Sequence, residues 1–318
     1  MPSLFITRPL PDEVVEAARG HFSVTVRPST EPMSPSECVA ALEGFDAVLP
    51  TLRDPLNAAT FAGVADCRAK ILANFGVGYN HIDVAAAKAK GMAVTNTPGA
   101  VTDATADIAM TLILMTCRRA GEGERMVRAG VWTGWHPTQL LGMHVTGRTL
   151  GIVGMGRIGK AIARRAALGF GMKVVFYNRS WVDDVGVASQ QMDTLQDVCR
   201  AADILVVAVP ATPETHHIID EAVLSEMQPH AVLVNIARGD VVDQTALIAA
   251  LEGNRIGGAG LDVYEFEPDV PIALRAMENV TLLPHLGTSC HEVRVGMGLM
   301  AVENLVAWAE GRPLPNPV

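Results

Sequence analysis

The 318-residue sequence has no C-x-x-C pair, no excess of positive charge and no apolar run of membrane length. Its five cysteines (Cys38, Cys67, Cys117, Cys199 and Cys290) are scattered and odd in number. That excludes a disulfide framework and suits free thiols in a reducing cytoplasm. Lysine and arginine total 25 against 34 aspartates and glutamates, a formal net charge of -9. Such a surface repels phosphate backbones and anionic lipid, so neither nucleic acid nor membrane is expected as the main partner. A local basic site for one small anion stays open. Ile108–Cys117 and Ile204–Pro210 are far short of a membrane span. Leu4-Phe5-Ile6, followed by Arg8 and the acidic Asp12-Glu13, does not read as a signal peptide. There is no solenoid-length repeat and no low-complexity tract. The nine histidines lack ligand spacing, and the adjacent His216 and His217 are expected to point in different directions, so no metal is expected.

What is present is a chain 49% hydrophobic and 19% charged, able to bury a sizeable core and long enough for two domains. Short apolar runs alternate with stretches of helical period. Leu4–Ile6, Phe22–Val26, Ala47–Leu49, Ile71–Ala73 and Ala93–Val94 read as strands. The alternation resumes with Thr149–Val153, Val174–Tyr177, Ile204–Val209, Ala231–Val234, Ala259–Val263 and Thr281–Leu283. Continuous Val/Ile/Leu strands have both faces covered, which implies parallel sheets with right-handed crossovers. The fold class is α/β, with two doubly wound parallel-sheet domains.

The boundary lies near Pro98-Gly99, before a helical run from about Thr102 to Arg119. Thr102 or Asp103 is placed to cap it, and Ala104, Ile108, Leu112 and Met115 fall on one face. A last helix runs from about His291 to Glu310, and the proline-rich tail from Arg312 to Pro317 ends regular structure. Its return to the first domain makes that domain discontinuous: residues 1–100 with 288–318 around a second domain at 101–287.

The strongest motif is Gly154-Met155-Gly156-Arg157-Ile158-Gly159, directly after the strand Thr149–Val153 and opening a helical run. Gly154 permits a tight turn, Gly156 lets the backbone approach a pyrophosphate, and Gly159 lets helix and strand pack closely. The pyrophosphate then rests on N–H groups at the helix start. An NAD enzyme of this fold usually carries an acidic residue at the end of the second strand. Here that end reads Tyr177-Asn178-Arg179-Ser180. A guanidinium with two small polar neighbours suits a 2′-phosphate, so NADP(H) is expected in preference to NAD(H). Asp183 and Asp184 keep NAD(H) open.

Three further segments follow later strands of the same sheet: Asn235 to Asp240, Leu261 to Pro268, and Pro284 to Thr288. Reducing a 2-oxo acid needs a cation for the carboxylate or carbonyl, a proton donor, and a group that keeps the donor protonated. Arg238, His285 and Glu267 meet these needs in turn. Singly, each has an ordinary reading: a surface ion pair of Arg238 with Asp240, a packed loop histidine, turn chemistry before Pro268.

With these segments and Asn74-Phe75-Gly76-Val77-Gly78-Tyr79-Asn80-His81-Ile82-Asp83, the sequence resembles the D-2-hydroxyacid dehydrogenase family over essentially its whole length. It is most similar to the glyoxylate/hydroxypyruvate reductase branch, which implies a Rossmann dinucleotide-binding domain at 101–287 and a smaller flavodoxin-like substrate domain. The resemblance implies a proton relay of His285 with Glu267, and Arg238 binding the 2-oxo acid. It implies Asp262 near the nicotinamide carboxamide and Thr105 touching the cofactor. Further cofactor contacts follow at Val209, Pro210, Thr215, Ile236, Ala237 and Gly287. The Val77-Gly78 amides would bind the substrate carboxylate, with Leu52 beside them, and two domains would close over a dry cleft. The segment Gly130 to Pro137 resembles a loop that crosses to a partner subunit. Trp135 would then help close the neighbouring pocket, or Trp132 and Trp135 would simply anchor a homodimer interface.

Other branches fit less well. Formate dehydrogenases have glutamine where Glu267 stands. Many phosphoglycerate dehydrogenases add a regulatory domain, whereas this sequence ends at Val318, although Arg53 keeps a short phosphoglycerate enzyme open. An NAD-dependent enzyme for a D-lactate-like or bulkier 2-oxo acid is a further alternative. C-terminal-binding-protein corepressors use the same fold as a nucleotide-sensing scaffold, but the sequence lacks extended disordered tails and a basic tract.

Overall fold

The computed structural model describes residues 1–318, which divide into two compact units, 1–101 with 289–318 and 102–288. The first unit opens with β1 (Ser3–Ile6), α1 (Asp12–Arg19), β2 (Ser23–Val26), α2 (Pro35–Gly44) and β3 (Ala47–Leu49). It continues with α3 (Ala58–Ala62), β4 (Ile71–Ala73), α4 (Val84–Ala89) and β5 (Ala93–Thr95). All pairings are parallel, in the order β2-β1-β3-β4-β5. Strand alternation divides its core. Leu4 and Ile6 of β1 join Ile71 and Ala73 of β4 on one face, while Leu72 faces the other with Phe61 and Leu42. Caps set the helix starts: Ser34 and Glu37 form a reciprocal capping box on α2, and Asn57 and Asp83 cap α3 and α4.

The second unit begins with α5 (Thr102–Cys117) and α6 (Ala120–Arg128), then β6 (Thr149–Val153), α7 (Arg157–Phe170), β7 (Lys173–Tyr177) and β8 (Ser189–Gln191). There follow α8 (Leu195–Ala201), β9 (Ile204–Val207), α9 (Glu221–Ser225), β10 (Val232–Asn235) and α10 (Gln244–Glu252). The unit ends with β11 (Gly258–Leu261), α11 (Ile272–Ala276) and β12 (Val280–Leu282). The parallel order β12-β11-β10-β9-β6-β7-β8 reverses direction between β6 and β9, the switch point beside which such sheets bind ligands. Both faces are covered: Ile204 and Val206 of β9 enter one core, Leu205 and Val207 the other. Each fully buried Val, Leu or Ile contributes about 1.5–3 kcal/mol relative to exposure.

Two local expectations change. The helix α5 begins at Thr102, so Thr102 and Asp103 lie in its first turn rather than at a cap, and Asp103 instead accepts from Arg165 of α7 at 3.0 Å. Its buried surface is also wider than the stripe expected. Thr105, Ala106, Ala109, Met110 and Ile113 are buried, while Ile108 and Met115 are only half-buried. A helix laid between a sheet and α7 is covered around most of its circumference. The edge strand β8, Ser189-Gln190-Gln191, has no apolar signal to betray it.

The last helix, α12 (His291–Ala309), belongs to the first unit and lies against α1. Gly298 makes this approach possible, because a Cβ there would fall 2.3 Å from Val14 Cγ2 and 3.0 Å from Val14 Cβ. Gly298→Ala should therefore lower the unfolding free energy by about 1–3 kcal/mol through overpacking. Urea denaturation checks this; a midpoint equal to wild type would mean that the two helices are not so closely apposed.

Candidate active site

The turn from β6 into α7 holds the glycine motif, and each glycine does a different job. Gly154 has φ 98°, and a Cβ on it would fall 2.8 Å from Val209 Cγ1. A Cβ on Gly159 would fall 2.3 Å from the Gly154 carbonyl oxygen, so helix and strand can touch only there without a side chain. Gly156 is different: a Cβ would meet nothing within 4 Å. Packing does not require that glycine, and the space before the start of α7 suits the close approach of a phosphate. The loop is stitched to β7 by Gly154 N–H donating to Tyr177 O (2.9 Å) and Met155 N–H donating to Asn178 Oδ1 (3.1 Å).

Asn178 is therefore partly a structural residue, its amide also donating to Ser180 O at 2.9 Å. Arg179, Ser180 and Arg157 are exposed, and Arg179 makes no ion pair. Glu214 lies close enough to sense Arg179. Its carboxyl is held below the usual range, first by the Thr212 hydroxyl, then by its own amide and more weakly by the Arg179 charge. Asp183 accepts Trp181 Nε1–H at 2.7 Å and Asp184 accepts Gly186 N–H at 2.7 Å, so each is engaged within its own turn. Thr215 donates to Pro210 O at 2.7 Å, closing the loop that follows β9.

The histidine–carboxylate pair lies in the segments after β11 and β12. His285 Nδ1 and Glu267 Oε2 are 3.0 Å apart, and Glu267 Oε1 accepts Tyr264 N–H at 3.1 Å. His285 itself sits at φ 55°, an uncommon conformation for a residue with a side chain. Asp262 holds it there. The Asp262 carbonyl accepts His285 N–H (2.9 Å), and its carboxylate accepts Leu286 N–H (2.6 Å) and Gly287 N–H (2.8 Å). Thr105 of α5 adds a hydrogen bond to Gly287 O at 3.2 Å. Burial pushes the Asp262 carboxyl up, against the pull of those two amides and of the His285 charge. Burial also acts upward on Glu267, but the His285 hydrogen bond and charge, the Tyr264 amide and the Arg238 charge outweigh it and leave the carboxyl below its usual range.

Arg238 follows β10. Asn235 shapes the turn, accepting Ala237 N–H at 3.0 Å and donating to Arg238 O at 2.9 Å. The guanidinium donates from Nη1 to Ala237 O at 2.7 Å, and its Nε is buried without a partner. Burial lowers its proton affinity, opposed by the charges of Glu267 and Asp240. Gly239 ties this segment to the relay: a Cβ would lie 1.8 Å from the Tyr264 carbonyl carbon. Asn235, Gly239 and Tyr264 lie in segments that the sequence marks, but their individual roles, a bond within the turn for Asn235 and close backbone approach for Gly239 and Tyr264, appear only in the folded chain.

Comparisons with known proteins identify the family of the chain. The family model for the D-isomer specific 2-hydroxyacid dehydrogenase NAD binding domain matches residues 110–287. The chain belongs to the D-isomer specific 2-hydroxyacid dehydrogenases. The glyoxylate reductase of Thermococcus kodakarensis is 42% identical over 100% of this chain and 96% of its own length. A protein of Polaromonas sp. JS6 66, assigned to the D-isomer specific 2-hydroxyacid dehydrogenases, superposes with a TM-score of 0.93 at 37% identity, covering 100% of this chain and 99% of its own. The NADPH-dependent glyoxylate/hydroxypyruvate reductase of Sinorhizobium meliloti, solved with NADP and malonate, has a TM-score of 0.88 at 35% identity, covering 100% of this chain and 96% of its own.

In the dehydrogenase, Leu52, Val77 and Gly78 lie in the first unit. Leu52 O accepts Arg8 Nη1–H at 2.8 Å. Two asparagines hold the glycine turn: Asn74, the first residue of the motif, donates to Gly78 O at 3.1 Å, and Asn96, which the sequence did not single out, donates to Val77 O at 2.9 Å. The Val77 and Gly78 amides themselves donate to no protein atom. Ile236 and Ala237 are buried in the cores, Ile158 is half-buried, and Trp135 is 79% exposed. No helix is long and apolar enough to cross a membrane. The histidine pair departs from expectation. His216 and His217 stack with ring centroids 4.0 Å apart, because the left-handed turn at His217 (φ 51°) breaks the alternation that an extended chain would impose.

The lowered carboxyl of Glu267 sets a sign for pH. A depressed folded value gives stability that is present above the ordinary carboxylate range and lost as pH falls through the folded value. Glu267→Gln should therefore flatten the acid limb of Tm against pH below about pH 4.5. An acid limb identical to wild type would show that Glu267 and His285 are not coupled.

Proposed function

We propose that the protein reduces a small 2-oxo acid, glyoxylate or hydroxypyruvate, to the 2-hydroxy acid with NADPH, giving the D form where the product is chiral. The observation that carries this reading is the half-buried Arg238, its buried Nε without a partner and its charge acting on Glu267 of the His285–Glu267 pair. A buried donor left unpaired calls for a partner, and a ligand carboxylate would supply one, because a planar guanidinium suits a carboxylate.

The residues of the β6–α7 turn fit a dinucleotide, as the open side of Gly156 and the start of α7 indicate. Bound there, the nicotinamide supplies a hydride for the carbonyl carbon. His285, held through Nδ1 by Glu267, keeps Nε2 free to protonate the carbonyl oxygen. Glu267 fixes the ring and stabilises the imidazolium. Arg238 fixes the acid and offsets its charge. In the first unit, the Val77 and Gly78 amides suit a carboxylate oxygen in the same chemistry. Arg179, exposed and unpaired, with Asn178 and Ser180 as small neighbours, suits the 2′-phosphate of NADP(H).

Two auxiliary readings accompany this one. Val127, Val131, Trp132, Trp135 and Leu141 are exposed apolar residues close in sequence, which favours a homodimer with Trp135 closing on the partner's substrate. Five unpaired cysteines suit a reducing compartment such as the cytoplasm; burial pushes the thiols of Cys38, Cys117 and Cys199 up to about 12.

Initial rates with glyoxylate should be higher with NADPH than with NADH at equal concentration, and Arg179→Ala should erase most of that preference. A wild-type preference for NADH would overturn the assignment of Arg179 and point to an NAD-dependent relative. His285→Ala should cut turnover by about 10²–10⁴-fold while leaving NADPH affinity nearly unchanged. Turnover equal to wild type would remove His285 as the acid.

A further inference from the structure

One cluster of metal-ligating side chains lies outside the relay. The ligand atoms of His216, His217 and Glu265 all lie within 4.8 Å of one another. His217 Nε2 is 2.9 Å from Glu265 Oε1. A simple ion pair accounts for those two groups. It does not account for His216, an exposed ring stacked at 27° on that of His217 rather than turned into water.

We propose that His216, His217 and Glu265 form a binding site for a divalent transition-metal ion such as Zn²⁺ or Co²⁺. Two imidazole nitrogens and one carboxylate oxygen form a donor set suited to borderline ions; Mg²⁺ and Ca²⁺ call for oxygens throughout. At metal–ligand bonds near 2.0–2.1 Å, neighbouring donors in a tetrahedral site are roughly 3.3 Å apart. The His217–Glu265 contact is already close to that spacing. The remaining contraction falls on His216, whose exposed ring is free to rotate.

The backbone fixes the other two ligands. His217 N–H donates to Asp240 O at 2.9 Å, and its left-handed φ of 51° sets the direction of the ring. Glu265 Oε2 accepts the N–H of Gln244, the first residue of α10, at 3.3 Å. That outer contact orients the carboxylate and leaves Oε1 for the ion. Water completes the coordination on the exposed side. The ion would tie the loop after β9 to the segment after β11, two residues before Glu267 in sequence. The test therefore reads binding rather than turnover.

Tag-free protein carrying Cys290→Ser, which removes the exposed thiol, is titrated with Co²⁺ at about pH 7.5. One equivalent should bind, with the visible absorption bands of low-coordinate Co²⁺ and displacement by Zn²⁺. His216→Ala should weaken binding at least tenfold while its metal-free Tm stays that of the parent, and Glu265→Gln should weaken it too. Zn²⁺ should raise the Tm of the parent but not that of His216→Ala. Binding that is equally tight in His216→Ala, or no binding below millimolar Co²⁺, overturns the site and leaves a structural His217–Glu265 ion pair.

Discussion

The buried carboxylate of Asp262 accepts two backbone N–H groups, from Leu286 and Gly287, and the placement of His285 depends on that arrangement. Asp262 extends β11, and its own N–H donates to Asn235 O at the end of β10 at 3.0 Å. The ends of β10, β11 and β12 are thereby joined at one edge of the sheet. Holding a histidine at φ 55° costs on the order of 1–3 kcal/mol, and such strain persists only where the surroundings over-determine it. Here three hydrogen bonds to one aspartate and a fourth from Thr105 do so. Burying the Asp262 carboxylate is unfavourable in itself, and its amide donors offset much of that cost.

The charged groups around that turn balance one another rather than add stability. Burial acts upward on Glu267 and downward on Arg238, and each charge moderates the effect on the other. A cluster of this kind is seldom more stable than an apolar one of the same volume. What the arrangement holds is a carboxylate that stays ionised beside an imidazole, with a cation near the carboxylate. Gly239 makes the arrangement compact, since no side chain could stand 1.8 Å from the Tyr264 backbone. A local concession in packing freedom at one residue brings the Arg238 and Glu267 segments into contact.

How far the sequence led depended on the kind of signal. Buried parallel strands such as Ile204–Val207 were legible because both faces are apolar, and the glycine motif because three separate steric demands fall at fixed spacing. The polar edge strand Ser189–Gln191 carried no such signal, since its pairing with β7 is made by the backbone alone. The stripe on α5 was drawn too narrow because amphipathic reasoning assumes one solvent face, and α5 is sandwiched. His216 and His217 were misjudged for want of one dihedral angle. Asn96 and Asn178 spend their amides on backbone groups of turns that follow other strands, contacts that exist only once those strands are aligned, whereas Asn74 closes its own turn onto Gly78 O.

The net charge of -9 and an anionic dinucleotide are reconciled by range. At physiological salt, charges are screened beyond about 8 Å, so the overall surface sets solubility and little else at the turn after β6. What acts there is local: the N–H groups at the start of α7, the positive end of its dipole, and the exposed guanidiniums of Arg157 and Arg179. Asp183 and Asp184, the nearest carboxylates in sequence, each accept a hydrogen bond within their own turn. An acidic protein can thus hold a phosphate-bearing ligand, because a few oriented donors within contact distance outweigh a larger but screened charge of the wrong sign.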